Sequence, residues 1–162
     1  MRIKVSKLTS PDLARWACGL TIDGESNIRM SELYKNEHSP IRTQIYTVEM
    51  LDIPTFVSVH FRTHSLGITH FVKSNREDRA SCSGDIGRMQ PVNHGMILNA
   101  QSLINLSRKR LCFKSHELTK GIMEEIRHEV MVVDSALAEY MVPECVYRGR
   151  CLEKKPCGMM GR

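Results

Sequence analysis

The stretch from Val92 to Leu111, VNHGMILNAQSLINLSRKRL, constrains the chain more than any other. Placed at about 100° per residue, Met96, Ile97, Ala100, Leu103, Ile104 and Leu111 fall on one arc, while Asn99, Ser102, Asn105, Lys109 and Arg110 fall on the other. The spacing predicts a helix over 92–111 with one face for a core. A second amphipathic stretch runs from Glu117 to Tyr140, with Ile122, Met123, Ile126, Val130, Val133 and Leu137 as its apolar stripe, and Pro143 is expected to end it. Such helices need a surface to cover. Arg2 to Val5 alternates polar and apolar, and Ile41 to Glu49 (IRTQIYTVE) is rich in β-branched residues, so both read as strands. The expected fold is α+β: a single domain, residues 1–162, with a mixed or antiparallel sheet packed against two long amphipathic helices.

Local signals punctuate the rest. Ser10 and Pro11 read as the N-cap and first position of a helix. Residues 21–29 read as a loop and Met30 to Lys35 as a short helix. Asp52 to Pro54 reads as a turn, and Thr55 to Thr63 as a helix capped by Thr55 or Asp52. Residues 80–90, ASCSGDIGRMQ, read as a loop, and 143–162 as a Cys-rich tail.

The formal charge of +5 suits an anionic ligand such as a phosphate ester. A nucleic-acid module is the alternative, but no helix-turn-helix or RNA-binding signature accompanies the basic residues, and aromatics for stacking are lacking beside them. Nucleic acid is therefore not the expected partner. No apolar run approaches the about 20 residues of a membrane span, and the N-terminus has no apolar signal region. The expectation is no membrane and a cytoplasmic location.

Six cysteines lie at 18, 82, 112, 145, 151 and 157. Cys145, Cys151 and Cys157 are spaced Cys-x5-Cys-x5-Cys, wider than the pairs zinc sites use. Zinc there, with Cys112, His116 or His128 as fourth ligand, is the alternative that would make this a metal-stabilised interaction protein. Free thiols are the preferred reading, and no metal ligand is assigned.

Chemistry concentrates in two stretches. Residues 60–79, HFRTHSLGITHFVKSNREDR, hold three histidines and four basic side chains. Arginine grips phosphate through a bidentate fork, and histidine donates near neutral pH. Ser74-Asn75-Arg76 adds a hydroxyl, an amide and a guanidinium. A solvated basic loop is the plain alternative. In 97–111, ILNAQSLINLSRKRL, two asparagines share the polar face, although Asn is a poor helix former. A neutral amide face with an arginine suits a ligand with carbonyl and imide edges; a polar subunit contact is the alternative.

Together these stretches resemble the flavin-dependent thymidylate synthases, of the short kind often seen in phages. The family's Arg-His-Arg, spacer, Ser-x-Arg-Tyr signature corresponds to Thr63-His64-Ser65, a spacer, then Ser74-Asn75-Arg76. Its Asn-Ala-Arg-Ser-Leu-x-Asn-x-x-x-x-Arg block corresponds, without a gap, to Asn99-Ala100-Gln101-Ser102-Leu103-Ile104-Asn105 and Arg110. Glu37-His38-Ser39-Pro40 echoes a His/Glu/Thr/Pro cluster, and CVYRGRCLEKKPCG a Cys-rich ending of some members. The likeness spans roughly residues 36–158.

The resemblance implies an α+β homotetramer with active sites between subunits. It implies FAD as cofactor, and methylation of dUMP to dTMP with methylenetetrahydrofolate and NADPH as co-substrates. It gives Arg110 and Ser74 catalytic roles. Arg110 would bind the uracil and polarise its carbonyls. Ser74 and Arg76 would hold the phosphate and sugar of dUMP, with Arg88 a further phosphate ligand. His38, Arg62, His64, Asn99 and Asn105 would contact the flavin, Asn105 also reaching the base and His38 the folate. The chain departs from the pattern where Thr63 and Ser65 replace arginines, where Gln101 replaces another, and in a spacer one residue longer. Arg62 lies one residue early and is the candidate replacement. A hydroxymethylating relative and a non-catalytic nucleotide-binding homologue are the alternatives these departures raise.

Overall fold

The structure is a computed structural model that describes residues 1–74 and 87–160. Four strands, β1 (Arg2–Lys7), β2 (Ile45–Pro54), β3 (Ile68–Val72) and β4 (Pro91–Asn99), form one antiparallel sheet in the order β1-β2-β4-β3. Its inner face follows the two-residue period of a strand. Tyr46, Val48 and Met50 of β2 and Val92, His94, Met96 and Leu98 of β4 are all buried, with Val48 opposite Met96 and Met50 opposite His94. Against that face pack α3 (Thr55–Arg62), α4 (Ala100–Arg110) and α5 (Glu117–Val133), which bury Val57, Phe61, Leu103, Ile104, Ile122, Met123, Ile126 and Val130. The expected α+β architecture is present. Among the described residues, no helix is long and apolar enough to cross a membrane.

Two N-terminal helices form where local signals place them. In α1 (Pro11–Gly19), Ser10 caps the helix by accepting the Asp12 N–H at 3.2 Å. Met30–Lys35 is α2.

Elsewhere tertiary pairing overrides the local pattern. The predicted helix over 92–111 is half strand: 92–99 lie in β4, paired on both sides, and the helix begins only at Ala100. Met96 and Ile97 both fit a helical arc, but in the strand they point to opposite faces, and Ile97 is 40% exposed. Asn99 therefore sits at the N-cap of α4, not on its polar face. The predicted turn at Asp52–Pro54 is also strand. Asp52 takes a φ of 56°, the register slips between Met50 and Ile53, and pairing resumes through Pro54. Neither Thr55 nor Asp52 caps α3, whose N-cap is Pro54; the Thr55 hydroxyl instead donates to the Gln90 carbonyl at 2.8 Å. A short 3-10 turn, Ser39–Thr43, delays the start of β2 to Ile45. Of the expected 80–90 loop, 80–86 lie outside the described residues.

The second predicted helix breaks at Asp134. This residue ends α5 and caps α6 (Ser135–Ala138), its Oδ1 accepting the Leu137 N–H at 3.2 Å. Pro143 does not end this segment; it is the N-cap of α7 (Glu144–Arg148) in the tail. The other carboxylate oxygen of Asp134 accepts from Lys7 at 2.6 Å, Tyr46 at 2.7 Å and Tyr34 at 2.8 Å. One buried carboxylate thus ties the α5–α6 corner to β1, β2 and α2. Burial pushes its pKa up, but the bonds from Lys7 and the two tyrosines outweigh this and hold it below the usual carboxylate range. Burial, with the neighbouring carboxylate, pushes both phenols up and keeps them as donors.

Candidate active site

The last turn of α4 carries Arg108, Lys109 and Arg110 toward the end of α3. Arg110 Nη2 donates to the His60 carbonyl at 2.6 Å and to Thr63 Oγ1 at 2.7 Å. A cation is favourable there because the α3 C-terminus presents unpaired carbonyls. Thr63 in turn donates to the His60 carbonyl at 2.8 Å. The Nε of Arg110 is buried without a hydrogen-bond partner among the described residues.

Beside Arg110 opens a cavity of about 660 Å³. His64, Arg108, Lys109, Lys114 and Arg148 line it, against Glu144 and Glu153. Much of this charge is spoken for. Glu144 pairs with Arg148 and, at 3.7 Å, with Lys109. Arg108 pairs with Glu37 and lies 3.5 Å from the Tyr147 ring centroid. Arg110 has no carboxylate partner among the described residues. Burial, followed by the charges of Arg110 and Lys109, pushes the His64 pKa down, so its ring is neutral near pH 7.

Glu37 organises the flank of α4. At a φ of 50° it accepts Gln101 on one carboxylate oxygen and Arg108 on the other. Gln101 and Thr63, two positions that depart from the family pattern, are thereby absorbed into contacts within the chain. Asn105 is exposed and accepts from Arg108 at 3.2 Å. His38 is exposed beside Glu37. Asn99 accepts the Ser102 N–H at 2.9 Å, while the Ser102 hydroxyl donates to the Leu66 carbonyl at 2.9 Å. The turn before β3 packs so closely here that a Cβ on Gly67, whose φ is 69°, would lie 2.5 Å from Ser102 Oγ.

Of the sequence-predicted residues, the cavity brings His64 and Arg110 together. Asn99, Asn105 and His38 lie along α4 and its flank, outside its lining. Arg62 is exposed at the end of α3. Arg88 stacks on Phe56, 4.8 Å from the ring centroid, in a separate groove with His60. Ser74 follows β3 and does not line the cavity; Arg76 lies outside the described residues. Cys145, Cys151 and Cys157 line the cavity with Cys112, but among the described residues no three His, Cys, Asp or Glu side chains are grouped to hold a metal. Residue types gave no sign of Glu37, Thr63 or Tyr147 as supports, because their partners are 39 to 71 residues away or on separate elements.

No protein-family model matches the chain, and comparison with curated proteins finds no match. Solved structures do match. The flavin-dependent thymidylate synthase ThyX from Helicobacter pylori, complexed with FAD and dUMP, superposes with a TM-score of 0.68 at 14% identity, over 88% of this chain and 100% of that one. The chain has the flavin-dependent thymidylate synthase fold. A second structure of the same enzyme, also with FAD and dUMP, gives 0.64 at 13% identity, over 85% and 99% of the two chains. The UMP/dUMP methylase PolB from Streptomyces cacaoi, bound with 5-Br dUMP, gives 0.67 at 12% identity, over 86% and 94%. At these identities the likeness carries the fold.

Proposed function

We propose that this protein modifies dUMP, and that its reaction is the FAD-dependent methylation of dUMP to dTMP with methylenetetrahydrofolate and NADPH. One observation carries the reading: Arg110, a half-buried guanidinium whose Nε has no partner and which has no carboxylate among the described residues, beside a cation-lined cavity on this fold. A buried donor without an acceptor is costly and is explained if a ligand supplies the acceptor. The donor set fits phosphate-bearing ligands, dUMP and FAD alike.

When bound, FAD supplies the redox chemistry that turns a transferred one-carbon unit into a methyl group. This chain's residues would bind, orient and polarise. Arg110 would hold the uracil edge and draw charge onto its carbonyls. Neutral His64 would sit on the flavin, with Arg62 beside it. Asn105 would meet flavin or base. Asn99, its carbonyl oxygen committed to α4, would offer its amide N–H groups. Ser74, Arg76 and Arg88 would hold the phosphate and sugar, and His38 would face flavin or folate. These residues spread over more surface than one cavity, which accords with a homotetramer whose sites lie between subunits.

The test is an absorbance spectrum of purified protein with FAD, then with dUMP. Flavin bands that stay with the protein through gel filtration and shift with dUMP are expected; protein that retains no flavin in excess FAD overturns the reading. Product analysis for dTMP against hydroxymethyl-dUMP then decides the reaction.

A further inference from the structure

Behind the cavity, three buried or half-buried side chains form a relay the proposed reaction does not use. His70 Nε2 lies 2.7 Å from the His64 carbonyl, His70 Nδ1 lies 3.0 Å from His94 Nε2, and His94 Nδ1 lies 3.0 Å from Ser58 Oγ. Ser58 is on α3, His70 on β3 and His94 on β4, so the relay crosses from the helix layer to the sheet edge. Ser58 is 2% exposed and His94 1%.

The hydrogen positions follow from the partners. A carbonyl only accepts, so His70 Nε2 carries a proton and donates to His64. In the neutral pair, His70 Nδ1 then accepts, His94 Nε2 donates, and His94 Nδ1 accepts the Ser58 hydroxyl. Each link fixes the next. Burial, followed by the charges of His70 and Arg62, pushes the His94 pKa down to about 4, which keeps it neutral in this role. The relay has no route to substrate: Ser58 is enclosed, and the far end is a peptide carbonyl that cannot pass a proton on. Its position explains it better. The carbonyl it grips belongs to His64, in the turn that also contains Thr63, the acceptor of Arg110. The other end of that turn is held by Ser102 at Leu66.

We propose that Ser58, His94 and His70 are positioning residues that fix the Thr63–Gly67 turn, and through it the placement of His64 and Arg110 at the ligand cavity. This rests on the function proposed above for its ligand, but the geometry of the turn can be read without one. The decisive variant is His70→Phe, which keeps a ring but cannot donate to the His64 carbonyl. In FAD-loaded protein it is expected to weaken dUMP binding about tenfold, or about 1.4 kcal/mol. His70→Gln, whose amide can donate from nearly the same place, is expected to restore most of that affinity. Unchanged binding in His70→Phe, or no rescue by His70→Gln, overturns the proposal.

Amide exchange supplies the ligand-free readout. The Ile68 N–H donates to Ser65 at 3.3 Å within the turn, and the His64 N–H to Phe61 at 3.1 Å. Both should exchange several-fold faster in His70→Phe and return toward wild-type rates in His70→Gln. If wild type binds neither FAD nor dUMP, the functional reading fails and exchange alone decides; equal rates in wild type and His70→Phe then overturn the positioning role. Should His70→Phe not fold, Ser58→Ala is read the same way: faster exchange supports the relay, and unchanged exchange overturns it.

Discussion

Two clusters of charge in this molecule behave oppositely. At Asp134, a buried carboxylate is matched by Lys7, Tyr34 and Tyr46, each within 2.8 Å of one oxygen. At Arg110, among the described residues, a half-buried guanidinium finds only a peptide carbonyl and a threonine hydroxyl, and its Nε finds no partner. A charge whose partners are complete serves the fold, since removing any partner strands the others in a dry place. A charge left short of acceptors, beside a cavity, has donor capacity that a ligand could use, as the proposed function requires. The same contrast separates Glu37, which accepts from both Gln101 and Arg108, from Arg110.

The largest expected effect breaks the complete cluster. Asp134→Ala should destabilise the protein by about 3–5 kcal/mol, because Lys7 and two phenols lose their acceptor. A denaturant melt reads this, and Asp134→Asn should cost less. If Asp134→Ala melts like wild type, the carboxylate is not the fold's anchor. Next, Arg110→Lys should leave the melt nearly unchanged but weaken dUMP binding by about 10–100-fold, the worth of a charged hydrogen bond at about 1.5–3 kcal/mol. A titration followed by flavin absorbance measures it. A large loss of stability with intact binding would make Arg110 structural and erase the contrast.

Acid should then separate the two regions by pH. Asp134 is held below its ordinary value, so its stabilisation is full above about pH 4 and is lost as pH falls through its folded pKa. His94 is also depressed, to about 4, so its contribution is full above about pH 6.5 and is lost as pH falls toward and through that value. The unfolded chain binds the extra proton in each window, so stability falls with falling pH, by up to about 1.4 kcal/mol per pH unit for one group. Melts across pH should flatten between 4 and 6.5 in His94→Gln and below about 4 in Asp134→Asn. The smallest effect sharpens the flank: Gln101→Leu should cost about 1 kcal/mol, since its hydrogen bond to the Glu37 carboxylate is charge-assisted but partly screened by solvent, with dUMP affinity little changed.

By itself, the sequence determined what short-range chemistry decides. Ser10 and Pro11 start α1 because a hydroxyl acceptor and a preset φ act within one turn. The residues for β1, α2 and α3 were readable for the same reason, as was the stripe of Ile122, Met123, Ile126 and Val130 in α5, although Val133, expected in it, is 37% exposed and Leu137 falls in α6. Tertiary structure alone decided the rest. Whether 92–99 is strand or helix turns on two neighbouring strands taking up its backbone groups, which no pattern of apolar residues can report. Asp134 breaks a helix because three partners from distant elements reward it for doing so. Thr63 and Gln101, read in sequence only as lost arginines, acquired partners 47 and 64 residues away. Those contacts exist only once the sheet has brought α3, α4 and the Glu37 turn together.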